Sequence, residues 1–519
     1  MFDIDFSRLL SLLTYDPASP MIFSSGIFLW LFLGFSLVYC LLHKADTVRI
    51  IFVTLFSYYF YYKSSGIYFF LLAIVTISDF YIAKKMAVRK SRLLLALSIL
   101  IDLGLLAYFK YTNFFGSLIM GSEWHHLDIF LPVGVSFFTF QSLSYTIDVY
   151  RGNISPLNRL LDYAFYVSFF PQLVAGPIVR ARDFIPQIRR PLIITNRMIG
   201  NGIFLIIAGL FKKAIISDYI SVNFVERVFD QPNLYSGIEN LLAIYGYTLQ
   251  IYCDFSGYSD MAIGIALLLG FEFPKNFDNP YKSRSITEFW RRWHISLSSW
   301  LKDYLYISLG GNRHGKIRQY LNLFITMLLG GLWHGASLNF ILWGGIHGIL
   351  LALDKIWYAI CPKLSPLTSI KGKVPQLPKG EAIQSDGNVD NTTNKSTAHT
   401  LPLRGLGGFG GLITFHLVAA LWVLFRAPSF EIASDMFTQI FTAFHPGVLS
   451  QWLSSYWPVA LLMLTGYTLH FLPESWSNHT RRAVALLPLP LQAILLVLLI
   501  WLVIQVKSSD VQPFIYFQF

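Results

Sequence analysis

The fold class this 519-residue sequence predicts is an all-α, polytopic membrane protein with roughly 11–13 membrane segments, some re-entrant and one amphipathic. Three observations predict it. The chain is 54% hydrophobic with a mean hydropathy of +0.52. Only 13% of it is charged, about half of what a soluble domain carries. Aromatics reach 17%, and some of the 13 Trp and 28 Tyr should form belts at the membrane surfaces. Length alone would suggest about three or four soluble domains, but the hydropathy points to one membrane body over residues 1–519.

The first long apolar run, 22–42, has no charge and no basic leader or cleavage site, so it reads as a retained first helix. Further expected spans are 50–62, 66–82, 93–108, 131–147, 163–179 and 199–211. They continue with 241–269, expected to be broken, 319–353 as two passes, then 405–425, 456–472 and 486–506. Several are shorter than the ~20 residues a span needs, which suggests tilted, re-entrant or interfacial segments. Residues 363–404 are rich in Pro, Ser, Thr, Asn and Lys with no apolar period, and read as a flexible solvent-exposed loop.

The formal net charge is +11, with the cations clustered between apolar runs. That arrangement fits cytoplasmic loops, lipid headgroups or an anionic cosubstrate, and does not call for nucleic acid. The three cysteines form no CxxC pair, so neither a disulfide scaffold nor a metal site is expected. There is no GxSxG, P-loop or HExxH pattern, which argues against a soluble-type serine hydrolase, a nucleotide-driven pump and a zinc enzyme.

Between residues 271 and 315 the apolar periodicity lapses. Ser285 and Glu288 can start a helix there, and Phe289, Trp293, Leu297, Trp300, Leu301 and Tyr304 recur at three- and four-residue spacing. The pattern predicts an amphipathic helix over 289–307, with Arg291 and Arg292 off its apolar stripe and His294 within it. A second histidine, His334, lies in "LLGGLWHGASLNF", inside a run without Lys, Arg, Asp or Glu from 319 to 353. An ionisable ring at membrane depth needs a reason. Gly330, Gly331 and Gly335 allow close backbone approach or a helix break beside it. Imidazole, with an ordinary pKa of about 6.5, suits general-base work, although a core hydrogen bond would also account for it. His347, without polar neighbours, reads as structural.

Two more segments bear on a site. In "CDFSGYSD", Asp254, Tyr258 and Asp260 sit in an otherwise apolar run, where the carboxylates should pair with cations, such as arginines of the amphipathic helix. In "SFFPQLVAGPIVR", Pro171 and the Gly176–Pro177 pair break a helix at membrane depth, which is tolerated where chain lines a cavity.

The stretches "FFPQLVAGPIVR", "CDFSGYSDMAIGIALLLGFEFPKNFDNPY", "SITEFWRRWHISLSSWLKDYLYISLGG" and "GGLWHGASLNFILWGGIHG", with the closing "PFIYFQF", resemble the membrane-bound O-acyltransferase (MBOAT) family. They are most similar to its bacterial alginate O-acetyltransferase branch, whose relatives act on cellulose, peptidoglycan and teichoic acid. The resemblance implies a helical body around a transmembrane tunnel in the bacterial cytoplasmic (inner) membrane. It implies that His334, in "WHG", is catalytic and that His294, in "RWH", is the second signature residue. Arg291, Arg292, Asp254, Asp260, Tyr258 and Asn339 are the accompanying candidates for substrate contact.

The reaction implied is transfer of an acyl group, here acetyl, from a cytoplasmic thioester such as acetyl-CoA to a hydroxyl outside. No permanently bound cofactor is expected. The implied partners are the thioester donor, a polysaccharide acceptor, membrane lipid and a periplasmic or membrane-anchored hydrolase-fold acetyltransferase. Acylation of peptidoglycan, teichoic acid, lipid or protein by the same chemistry is an alternative. A transporter of polymer or lipid, which would also use broken helices, is another.

Overall fold

The computed structural model describes residues 11–17, 20–361 and 404–506, and every regular element among them is helical. The expected loop at 363–404 and the closing "PFIYFQF" lie outside the described residues, apart from Arg404 at the start of a helix. Among the described residues, five helices are long and apolar enough to cross a membrane: Asp46–Val88, Arg92–Glu123, Asn196–Asp230, Leu338–Ile360 and Phe409–Arg426. Glu474–Leu486 and Leu489–Gln505 pass the same test only as a pair bent by 117°. The other expected segments are shorter or carry polar side chains, so length and composition alone do not mark them as spans. With many apolar faces left outward, this is a multi-pass membrane protein.

From residue 26 the described helices are α1 (Gly26–Leu41), α2 (Asp46–Ser65), α3 (Phe69–Val88) and α4 (Arg92–Met120). α5 (Val135–Arg151) and α6 (Leu160–Ser168) follow. After α6 the chain breaks as Pro171 and Gly176–Pro177 predict: a four-residue turn of helix gives way to fully buried extended chain. A Cβ on Gly176 would stand 2.5 Å from the Pro171 carbonyl oxygen, so only glycine allows this fold-back.

Two expectations fail in the next section. The segment expected to be broken, 241–269, lies within one uninterrupted 32-residue helix, α8 (Gly237–Leu268). The irregularity belongs to its partner α7 (Asn196–Leu210), which continues into π-helical turns at Phe211–Ser217 and Ser221–Val225. The two helices touch through glycines: a Cβ on Gly209 would lie 2.5 Å from the Gly257 carbonyl oxygen, and one on Gly264 2.6 Å from that of Gly202. This close approach brings Lys212 and Lys213 from the first π-turn against Asp260 and Asp254 of α8.

The predicted amphipathic helix over 289–307 is also interrupted. Ser285 caps α9 (Ile286–Arg292) by accepting a hydrogen bond from the Glu288 N–H, as expected. The helix then stops, and His294 adopts a left-handed conformation (φ 42°, ψ 57°) before α10 (Ile295–Trp300) and a π-turn at Leu301–Tyr306. The cause lies across the chain: the Asp278 N–H donates to the Arg292 carbonyl and the Ile295 N–H to the Asn276 carbonyl, both at 2.9 Å. Periodicity cannot register such pairing. With Phe289, Trp293 and Leu297 each 1% exposed, the apolar stripe packs into the core of the protein.

The two expected passes of 319–353 are α11 (Gly315–His334) and α12 (Leu338–Ile360), joined by a three-residue turn. Gly331 and Gly344 let them touch; a Cβ on Gly331 would lie 2.2 Å from the Phe340 carbonyl oxygen. After Arg404 come α13 (Arg404–Arg426), α14 (Phe430–Thr442), α15 (Trp457–Phe471), α16 (Glu474–Leu486) and α17 (Leu489–Val506).

Candidate active site

His334 is the last residue of α11, and the backbone leaves it extended at Gly335. Its ring, 3% exposed, is enclosed by Trp333, Trp343 and Phe425 at centroid distances of 4.9, 5.2 and 5.2 Å. The end of a helix leaves carbonyls without intrahelical partners and carries partial negative charge. Here α4 answers both. Lys110 Nζ donates to the carbonyls of Trp333 and His334, each at 2.8 Å, and the Tyr111 hydroxyl donates to that of Leu332 at 2.8 Å.

His294 is fully buried between α9 and α10. Its Nδ1 lies 3.1 Å from Asn276 Oδ1, and Phe255 of α8 meets the ring edge-on at 4.6 Å. Trp333 stands between the two histidines, with centroid distances of 6.3 Å to His294 and 4.9 Å to His334. Residues 40 apart in sequence thus share one aromatic chamber.

Openings flank it. A narrow crevice of about 50 Å³ reaches Trp333 and Phe137 past Lys110 and Gly134. Two larger cavities lie on either side of α10, both touching Ile295 and Ser299. One, of about 420 Å³, is lined by Arg291, Lys302 and Lys355 among apolar side chains. The other, of about 300 Å³, gathers Arg180, Arg182, Lys275 and Lys302 with Asp183 and Asp303. Cations outnumber carboxylates in each, a surface suited to a polyanion.

The remaining sequence candidates divide. Arg291 lines the 420 Å³ cavity. Arg292 is engaged within the fold: its guanidinium contacts Glu288 at 2.8 Å and Asp278 at 3.6 Å. Burial pushes the Asp278 carboxyl up, but the hydrogen bond and charge of Lys275, with Arg292 and Lys282, outweigh it and hold Asp278 below the ordinary carboxylate range.

Asp254 and Asp260 do not hold the arginines of the amphipathic segment. Asp260 pairs with Lys212 at 2.6 Å, and Asp254 pairs with Lys213, which also reaches Asp218 at 2.8 Å. Tyr258 stacks on Phe23 at 4.6 Å, away from the indole chamber's contacts. Asn339 donates to the Ala427 carbonyl at 3.0 Å and fastens α12 to the end of α13. His347 accepts from Trp290 Nε1 at 3.3 Å among packed aromatics, in keeping with a structural part.

Sequence reasoning missed Lys110 and Asn276. A lone lysine inside the apolar run 93–120 was a readable signal for the first. Asn276 carried none, because its partners lie up to 20 residues away along a folded-back chain.

Residues 102–371, which include both histidines, match the sequence model of MBOAT, the membrane-bound O-acyltransferase family. The probable alginate O-acetylase of Pseudomonas putida is 34% identical over 530 residues, covering 96% of this chain and 100% of that protein. Its counterpart in Pseudomonas aeruginosa is 38% identical over 435 residues, 81% of this chain and 75% of that one. The peptidoglycan O-acetyltransferase of Helicobacter pylori is 42% identical over 295 residues, 51% of this chain and 56% of that one. With its central half matching the family and its length shared with these relatives, the chain belongs to the membrane-bound O-acyltransferase family.

Proposed function

We propose that this acyltransferase moves an acetyl group from acetyl-CoA on the cytoplasmic side to hydroxyls of a cell-surface or exported polysaccharide, with His334 as general base. The observation that carries it is His334 buried at the end of α11 and one indole away from His294, with a crevice that reaches Trp333 and two cation-lined cavities that touch Ile295, the neighbour of His294. The acceptor oxygen attacks the thioester carbonyl while imidazole takes the hydroxyl proton. The C–S bond breaks, and the departing sulfur takes that proton back from the imidazolium.

Orientation follows from charge. Lys84, Lys85, Arg89, Lys90 and Arg92 cluster at the end of α3, the turn after it and the start of α4, and Arg313, Lys316 and Arg318 surround the start of α11. The positive-inside rule would put both clusters in the cytoplasm of a bacterial inner membrane, so that α4 and α11 run outward. Their meeting at Lys110 and Trp333 would then face the outer side, and the cavities beside α10 would receive the donor's phosphates. A hydrolase-fold partner outside would take the acetyl group on to the polymer. The likeness to a peptidoglycan O-acetyltransferase favours peptidoglycan as the second acceptor to try.

The test is release of free CoA from acetyl-CoA by the purified protein in nanodiscs, with alginate or peptidoglycan and a co-expressed hydrolase-fold neighbour supplied. Acceptor-dependent release supports the reading. Flux of polymer without CoA release would replace it with transport.

Two outcomes follow from the site's surroundings. Arg291→Ala should raise the KM for acetyl-CoA about fivefold, the worth of roughly 1 kcal/mol for a half-screened charge contact, with kcat unchanged. An unchanged KM would remove Arg291 from the donor site. Lys110→Met should lower kcat by up to about 10²-fold, because it frees the helix end that carries His334. Full kcat in a folded Lys110→Met protein would show that the helix end keeps its place without the ammonium group.

A further inference from the structure

We propose that Asn276 is a positioning residue that fixes His294 in the tautomer carrying its proton on Nδ1, leaving Nε2 as a hydrogen-bond acceptor for the substrate. The functional half of this rests on the acyl-transfer reading, whereas the tautomer can be tested without it.

The Asn276 oxygen is identified by a group that can only donate. The backbone N–H of Ser296 points at it from 3.2 Å, so the atom there is the amide oxygen and the NH₂ group is the other end. That NH₂ donates to Ser259 Oγ of α8 at 3.0 Å, which holds the amide plane at both ends. His294 Nδ1 approaches the same oxygen at 3.1 Å. Without a proton between them, two lone pairs would face each other at that distance. The nearby Ser296 hydroxyl does not supply an alternative: it is 2.9 Å from the amide oxygen and 3.4 Å from Nδ1, so its single proton goes to the oxygen. Its own oxygen accepts from the Ile178 N–H at 3.0 Å, which ties the cluster to the buried extended chain after α6.

The backbone enforces the same arrangement. The bonds from Ile295 to Asn276 and from Asp278 to Arg292 bracket His294 and hold it in its left-handed conformation, which an unpinned histidine would leave. Nε2 has no hydrogen-bond partner among the described residues, and Phe255, Phe277 and Phe137 surround the ring. The group that meets Nε2 therefore carries an N–H or O–H. An amide of the donor's pantetheine arm and the acceptor hydroxyl share that chemistry.

His347 provides an internal contrast. Trp290 Nε1 can only donate, so His347 Nδ1 is the acceptor and its proton sits on Nε2, the opposite tautomer.

The experiment is ¹⁵N NMR of histidine-labelled protein in nanodiscs, with the two rings assigned by loss of signal in His294→Gln and His347→Gln. The expected spectrum has His294 protonated at Nδ1 and His347 at Nε2. Asn276→Ala should erase the His294 signature, and Asn276→Asp, which keeps an acceptor oxygen, should restore it. Wild-type His294 protonated at Nε2, or an alanine variant with an unchanged His294 signal, would overturn the proposal. The wild-type spectrum decides the tautomer even if Asn276→Ala fails to fold.

In the CoA-release assay Asn276→Ala should lose about 10–100-fold in turnover, with Asn276→Asp recovering most of it. Raised KM for acetyl-CoA would mark the pantetheine amide as the group met, and raised KM for the polymer the hydroxyl. An alanine variant of altered tautomer but wild-type turnover and KM would overturn the functional half. An inactive wild type with the expected spectrum would instead count against acyl transfer and leave the tautomer assignment standing.

Discussion

Replacing His334 with alanine should reduce acetyl transfer by about 10²–10⁴-fold, the usual contribution of a positioned general base. His334→Gln should fall as far, because the amide keeps hydrogen-bonding capacity and much of the ring's volume but accepts no proton near neutral pH. That pairing separates chemistry from packing. The ring fills a pocket made by Trp333, Trp343 and Phe425, so alanine also opens a cavity and costs about 2–4 kcal/mol of stability. Glutamine leaves less void. Thermal unfolding and CoA release measured on both variants should show unequal stability and equally low turnover. Wild-type turnover in His334→Gln would sink the base assignment. Turnover that tracks stability across the two variants would make His334 a packing residue.

How much of this was legible depends on the range over which each signal acts. Helix identity is local, and the apolar runs gave the all-α class and the hairpin of α11 and α12 directly. Pro171 and Gly176–Pro177 announced a break because they act on their own backbone. The interruption at His294 was invisible: Phe289 to Tyr304 keep helical spacing on both sides of it, and the bonds that stop the helix come from Asn276 and Asp278. The same blindness reversed the roles of α7 and α8. The run 241–269 was expected to break, yet its helix stays whole and its two carboxylates meet two lysines from the π-turn of its neighbour. A trace of this was readable. Gly202 and Gly209 are seven residues apart, as are Gly257 and Gly264, and matched spacing on two helices is the mark of close packing. His334 was legible as a costly residue in apolar chain and His294 only as part of an amphipathic stripe, and nothing in the sequence placed Trp333 between them.

Lys213→Met should destabilise the protein by about 3–5 kcal/mol, the usual cost of removing one partner from a buried ion pair. Lys213 is 1% exposed and serves two carboxylates, Asp218 at 2.8 Å and the buried Asp254. Removing the ammonium leaves the Asp254 charge in a low-dielectric setting, whereas Asp218 is partly open to solvent. The double variant Lys213→Met with Asp254→Asn should recover a large part of the loss, since it deletes the stranded charge together with its counterion. A double-mutant cycle read by thermal unfolding in nanodiscs measures that coupling. Additive losses would mean that the pair contributes little as a pair. The effect should also reach the candidate site. α8 supplies Phe255 against the His294 ring and Ser259 to the Asn276 amide, so a loosened α7–α8 seam misplaces both. CoA release should therefore fall in Lys213→Met and return in the double variant. If the double variant is stable and active with an unchanged KM for acetyl-CoA, the Asp254 carboxylate holds the helices and does not contact the substrate.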